Sequence, residues 1–187
     1  MQTMELTILD WIQTHLRCGL LDAVLPVISW TCNHGEIWIL LALVLLASKK
    51  YRWVGISMGC ALLLDLICCN LILKPLVGRI RPFSVNAGVE LLIAPPTDAS
   101  FPSGHTASSF VAAVALWRSS GSLWAGLSAL SLAAVIAFSR LYLYVHWPSD
   151  VLGGALLGTA LGCLAPRLAL ALQTKLSAHR GKPHDGE

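Results

Sequence analysis

Four apolar stretches divide the chain: Trp53–Leu73, Thr106–Trp117 with its flanks, Leu123–Phe138 and Val151–Leu172. A helix rising about 1.5 Å per residue needs about 20 apolar residues to cross a hydrocarbon layer about 30 Å thick. A fifth stretch, Ile37–Ala47, reaches that length only if it begins near Leu25. The polar run Thr31–Glu36, which contains Gly35, lies inside it and is a natural place for the helix to break. Ahead of these, Glu5–Leu16 has Leu6, Leu9, Ile12 and Leu16 on one stripe, with Glu5, Asp10 and Gln13 off it. That pattern predicts an amphipathic helix lying in a membrane interface. The expected fold class is therefore all-α: a polytopic transmembrane helix bundle of about five spans plus an N-terminal interfacial helix. Residues 1–20 form the interfacial segment, 21–174 the membrane-embedded domain, and 175–187 a cytoplasmic tail without fixed structure.

Composition agrees with the pattern. Of 187 residues, 56% are hydrophobic and only 12% charged, against about a quarter charged in soluble domains. The net charge of +3 is small and localised, which argues against nucleic acid as a partner. The opening residues, with Glu5 and Asp10, lack the basic region and apolar core of a cleavable leader. Six cysteines lie mostly within apolar runs, without paired metal-type spacing, and read as reduced packing residues. Gly154, Gly158 and Gly162, four apart, read as a close helix-packing seam.

Basic residues set an orientation. Under five spans, Lys49, Lys50, Arg52, Arg118, Lys175, Arg180 and Lys182 all fall on one face, which the positive-inside rule makes cytoplasmic. The opposite face receives Lys74, Arg79, Arg81 and Arg140. The charge bias is thus broken only within three polar islands, K-x6-R-P at Lys74–Pro82, P-S-G-H at Pro102–His105, and S-R-x5-H-x3-D at Ser139–Asp150.

Each island carries groups suited to phosphate. Lys74 and Arg81, separated by a segment that Pro75 and Pro82 keep from being one regular helix, can fold back and clamp a dianion. Arg79 could touch a second phosphate or a lipid headgroup. Pro102-Ser-Gly-His105 opens a helix, whose unsatisfied N–H groups attract anions. Gly104 allows close approach, Ser103 adds a hydroxyl and His105 a titratable group. Arg140 can join the clamp, while Asp150 follows His146 by four residues and can accept its Nδ1 hydrogen. That bond leaves Nε2 free to act as a nucleophile. Each island alone also has a plain reading: a basic headgroup anchor, a helix cap and turn, or a capped helix start.

Taken together and in order, the islands resemble the signature of the type 2 phosphatidic acid phosphatase superfamily. Every signature position is present: Lys74, Arg81, Pro82; Pro102, Ser103, Gly104, His105; Ser139, Arg140, His146, Asp150. The resemblance implies metal-independent phosphoryl transfer in two steps, with no cofactor. His146 attacks phosphorus, Asp150 orients and stabilises it, and His105 protonates the leaving oxygen and then activates water. Lys74, Arg81, Arg140, Ser103 and the Gly104 amide hold the equatorial oxygens. Ser139 is structural. Many bacterial relatives carry a further N-terminal transmembrane helix, in whose place this sequence has the amphipathic segment.

Other polar residues are more open. Asn70 stands one turn before Lys74 and can orient it, while Asp65, deeper in the same span, suits a structural hydrogen bond. Glu36 either approaches the headgroup pocket or caps the first span, and His34 is a boundary residue. The resulting expectation is a multi-pass enzyme of a bacterial cytoplasmic membrane, its site facing outward and its C-terminus inside. The partners expected are the bilayer and a membrane lipid phosphate; whether the chain forms a homo-oligomer stays open. The substrate expected first is a polyprenyl (undecaprenyl) diphosphate, on the strength of compact size and the extra cation Arg79. Phosphatidylglycerophosphate or phosphatidic acid comes second. A non-catalytic lipid-binding protein is the alternative of another class, disfavoured by the intact histidines and Asp150. The apolar spans disfavour a soluble haloperoxidase.

Overall fold

The computed structural model describes residues 2–180, with side chains described as far as Thr174. Helix α1 spans Gln2–His15, α2 Gly19–Trp30, α3 Glu36–Ala47 and α4 Arg52–Asp65. A π-helical segment, Leu66–Leu73, continues α4 into the short α5, Lys74–Val77. A one-turn α6, Pro82–Val85, follows; then come α7 Gly104–Ser120, α8 Leu123–Tyr142 and α9 Pro148–Arg180. The protein is an all-helical membrane bundle. Among the described residues, Arg52–Val85, Leu123–Tyr142 and Pro148–Thr174 are long and apolar enough to cross a membrane, and α2 and α3 are shorter apolar helices.

The stretch expected to form the first span is indeed interrupted. Gly35, at φ 77°, separates α2 from α3, and each helix has 12 residues, enough for only about 18 Å. Helix α9 is longer than the hydrophobic run suggested and continues through residues 175–180, the first part of the expected tail. Residues 181–187 lie outside the described residues.

Helix α7 is the axis of the bundle. Its middle, Val111–Leu116, is buried all round, the state expected of a helix with no polar face. Trp38, Met58, Ala61, Ala133 and Ile136 pack with it in one core. The glycine stripe explains how α9 comes so close. A Cβ on Gly158 would sit 2.5 Å from the Ala107 carbonyl oxygen, and one on Gly162 would sit 2.8 Å from that of Val111. Gly158→Ala must therefore push α7 and α9 apart, at a cost of about 1–3 kcal/mol. A lowered thermal midpoint in detergent is expected. Gly59→Ala, where a Cβ would meet nothing within 4 Å, should leave the midpoint nearly unchanged.

Helix α1 differs from the sequence expectation in which face is turned inward. Leu9 and Ile12 are buried as expected, but so is Glu5, while Met4, Ile8 and Trp11 are exposed. Residues 5, 9 and 12 share a face at the helical spacing. The polar groups of α1 also turn inward: Gln13 Nε2 donates to the Tyr142 carbonyl at 2.7 Å, and Asp10 accepts from the Tyr144 hydroxyl at 2.7 Å. Helix α1 thus covers the loop between α8 and α9, which holds the third polar island.

Candidate active site

The three islands meet at one end of the bundle. The Ser103 amide donates to the Asp150 carbonyl at 3.1 Å, joining the second island to the third. Arg81 Nη1 donates to the Val145 carbonyl at 2.7 Å, joining the first to the third. Lys74, Arg81, Gly104, His105, Arg140 and His146 all line a cavity of about 990 Å³. The apolar residues Pro26, Trp30, Ile39, Leu62, Leu63 and Leu66 line it as well.

The π-helical segment aims the first cation. Hydrogen bonds spaced five residues apart bring positions i and i+5 nearly above one another. In a regular α-helix those positions lie about 140° apart around the axis. Asp65, Asn70 and Lys74 accordingly all line the cavity. A Cβ on Gly104 would lie 3.3 Å from both Asn70 Oδ1 and Lys74 Nζ, so the glycine keeps room for these groups. Asp65 is buried, and its Oδ1 has no hydrogen-bond partner among the described residues.

His146 is fully enclosed, and its surroundings select its tautomer. Arg81 Nη1 lies 3.1 Å from Nε2. A guanidinium can only donate, so Nε2 accepts and the ring proton sits on Nδ1. Nδ1 lies 3.5 Å from Asp150 Oδ2 and 3.5 Å from Ser100 Oγ. Burial, reinforced by the positive charges of Arg81, Arg140 and Lys74, holds the His146 pKa well below its ordinary value. The ring is therefore neutral at neutral pH. His105 Nε2 lies 3.1 Å from Asn33 Oδ1 on the α2–α3 turn.

Arg140 is buried and donates from Nη1 to the Ser29 hydroxyl; its Nε has no partner among the described residues. Lys74 and Arg81 are engaged differently. Both donate to the carboxylate of Asp98, Arg81 through Nη2 at 2.7 Å. The backbone carbonyl of Asp98 also accepts from Arg81 Nε at 2.9 Å. Burial alone raises a carboxyl pKa, but these two cations more than offset it and hold Asp98 at about 2.

Several expected site residues lie elsewhere. Arg79 turns away from the cavity to the rear of Asp150. Its Nη1 donates to Asp150 Oδ1 at 2.6 Å and to Ser149 Oγ at 2.6 Å. Its Nη2 donates to Glu5 Oε2 at 2.6 Å, and its guanidinium lies 5.1 Å from the Trp147 ring centroid. Two carboxylates draw it there, and it is not among the residues that line the cavity. As an argument for diphosphate it falls away. Glu36 accepts from the backbone N–H of His34 at 2.8 Å and pairs with the His34 ring at 2.9 Å, serving the start of α3. Ser103 is buried, and its Oγ accepts from the Thr106 hydroxyl at 3.0 Å. Neither Glu36 nor Ser103 lines the cavity. Ser139 donates to the Ile136 carbonyl at 2.6 Å, a bond within its own helix.

Comparison with known proteins gives the family. The family model described as "PAP2 superfamily" matches residues 50–173. The chain belongs to the PAP2 superfamily. An undecaprenyl-diphosphatase of Sulfolobus acidocaldarius is 32% identical over 132 residues, 71% of this chain and 63% of that protein. A lipid A 4'-phosphatase of Bacteroides thetaiotaomicron is 32% identical over 123 residues, 63% of this chain and 55% of that protein. The matched region thus covers less than two thirds of either relative. The crystal structure of Aquifex aeolicus LpxE superposes with a TM-score of 0.68 at 26% identity, over 89% of this chain and 94% of that one.

Beyond the PAP2 signature, the structure adds five residues that sequence reading passed over: Glu5, Ser29, Asn33, Asp98 and Ser100. Ser100 Oγ donates to Asp150 Oδ2 at 2.5 Å, and the Trp147 amide donates to the same oxygen at 2.9 Å. Glu5 Oε1 accepts from the Ser149 amide at 2.9 Å. Burial opposes ionisation of Glu5, but the bonds from Ser149 and Arg79 outweigh it and lower its pKa. The one signal available for Glu5 was a carboxylate at the spacing of the buried stripe. Asp98 and Ser100 sit in an aperiodic stretch, where no pattern marks a partner.

Proposed function

We propose that this protein is a metal-independent lipid phosphate hydrolase working through a phosphohistidine on His146. The observation that supports this most is the lone pair of His146 Nε2, held at a cavity that Lys74, Arg81 and Arg140 also line. Three cations beside a neutral imidazole suit an incoming phosphate and an in-line attack. In the first step Nε2 bonds to phosphorus, the bond from phosphorus to the leaving oxygen breaks, and His105 gives that oxygen its proton. In the second, His105 takes a proton from water, the water oxygen attacks phosphorus, and the N–P bond breaks to release orthophosphate. Asp150, with the Nδ1–H of His146 facing it, stabilises the imidazolium that each attack on phosphorus requires.

The apolar part of the cavity lining fits a chain-bearing substrate. Among such lipids we place polyprenyl diphosphate, cleaved to the monophosphate, first. The name of the Sulfolobus relative supports that choice. The site faces outward and the C-terminal end inward: Arg118 and Arg167 lie together around a second, smaller cavity lined also by Trp53, with basic Arg52 adjoining it.

The test is a side-by-side panel in detergent containing EDTA: undecaprenyl diphosphate, phosphatidylglycerophosphate, phosphatidic acid and a lipid A phosphate. Phosphate release with highest kcat/KM on the diphosphate is the expected result. Preference for a monoester would replace the proposed substrate while keeping the chemistry. Strict dependence on an added divalent metal would remove the metal-free mechanism.

A further inference from the structure

The clamp described above already holds an anion, and that anion belongs to the protein. Asp98 lies in the irregular segment between α6 and α7. Its two carboxylate oxygens are divided between Lys74 Nζ and Arg81 Nη2. These donors line the cavity beside His146, so a phosphate presented to Nε2 needs them too. The two cations are well enclosed, with side chains 12% and 5% exposed, whereas that of Asp98 is 49% exposed. The carboxylate therefore reaches the clamp from the open side and can leave by the same side.

Charge decides what displaces it. A carboxylate brings one negative charge and is tethered, so its effective concentration at the clamp is high. A phosphodiester headgroup also brings one charge and gains nothing by exchange. A phosphomonoester brings about −1.5 to −2 and three acceptor oxygens, so it forms more charge-assisted bonds to the same donors. Phosphodiesters are the bulk of an ordinary phospholipid bilayer, and a bare cluster of three cations at its surface would collect them.

We propose that Asp98 is a specificity-determining residue, an internal competing anion that keeps monoanionic phosphodiesters out of the clamp and yields to terminal phosphates. The proposal rests on the reading of Lys74, Arg81 and Arg140 as a phosphate clamp. It differs from a strut role, in which Asp98 merely holds Lys74 and Arg81 in place for catalysis.

The experiment uses the full-length protein in mixed micelles with phosphatidic acid as substrate, and with phosphatidylglycerol or phosphatidylcholine as added diluent. Wild-type rates should be the same with either diluent. Asp98→Asn and Asp98→Ala should be slowed several-fold by phosphatidylglycerol relative to phosphatidylcholine. Both should show a lower KM for phosphatidic acid, and inhibition by orthovanadate at several-fold lower concentration. Folding of each variant is checked by size-exclusion profile and thermal midpoint; a direct titration of orthovanadate binding serves for any variant too slow to assay. Variants that ignore phosphatidylglycerol and bind orthovanadate no more tightly overturn the proposal. So does a fall in kcat accompanied by weaker vanadate binding, which assigns Asp98 the strut role. Failure of the wild-type protein both to hydrolyse any lipid phosphate and to bind orthovanadate overturns the clamp reading instead.

Discussion

His146→Ala is expected to lower phosphate release from any lipid phosphate by on the order of 10³-fold or more. No neighbouring group can take over. Arg81 and Arg140 are donors without a lone pair to offer, and His105 points to Asn33 on the far side of the second island. A brief reaction with ³²P-labelled substrate, quenched in base, should label a histidine in the wild-type protein and leave His146→Ala unlabelled. The variant removes a buried ring, so its thermal midpoint must be compared with the wild type before the rate is read. A folded variant that retains a tenth of wild-type turnover would eliminate His146 as nucleophile.

The second large effect is expected at Arg79, which touches no part of the cavity. Arg79 and Glu5 form a chain behind Asp150: Glu5 accepts from Arg79, and Arg79 donates to Asp150 Oδ1. Misplacing a catalytic group by about 1 Å can cost about 10²-fold, so Arg79→Ala should lower kcat roughly 10- to 100-fold while changing KM less. The pH profile separates this chain from plain loss of stability. His146 must be neutral to attack, so the acid limb of kcat/KM follows its pKa. The groups facing it are Arg81, Arg140, Lys74, Asp98 and Asp150. Removing Arg79 leaves Asp150 a freer negative charge, which stabilises the imidazolium and moves the limb to higher pH. Glu5→Gln does the reverse: Arg79 then bears more fully on Asp150, and the limb moves to lower pH. Limbs that move together, or not at all, would refute a charge relation between α1 and the catalytic loop.

The all-helical bundle and the broken first span were readable because burial in lipid leaves long apolar runs, and Gly35 within a polar run leaves a gap. The stripe of Gly154, Gly158 and Gly162 was readable for a similar reason: close helix contact demands small residues at a fixed period. His105, His146, Arg140, Lys74 and Arg81 could be taken as a set because their three segments resemble a known signature, and the fold brings them around one cavity. Arg79 was misjudged. A cation beside Lys74 and Arg81 looks like part of the same proposed clamp, and only the fold shows that Glu5, 74 positions earlier, draws it aside. Asp98 could not be read at all. A lone acid in an aperiodic segment gains its meaning from the cations it meets, and sequence does not bring them together.

The glycine seam has one further consequence. Because α7 and α9 lie so near, with a Cβ on Gly154 falling 2.7 Å from the Ser103 carbonyl, the helix that begins at His105 and the helix that follows His146 form a single rigid pair. His105 and His146 are thereby anchored at the ends of two helices in close contact. Asp98 sits earlier in the aperiodic segment between α6 and α7, whose last residues, Phe101 and Ser103, make the close contacts with Gly153 and Gly154. Substitution of Asp98 alone, whose side chain is half exposed, alters the open side of the cavity without touching the glycine contacts between α7 and α9.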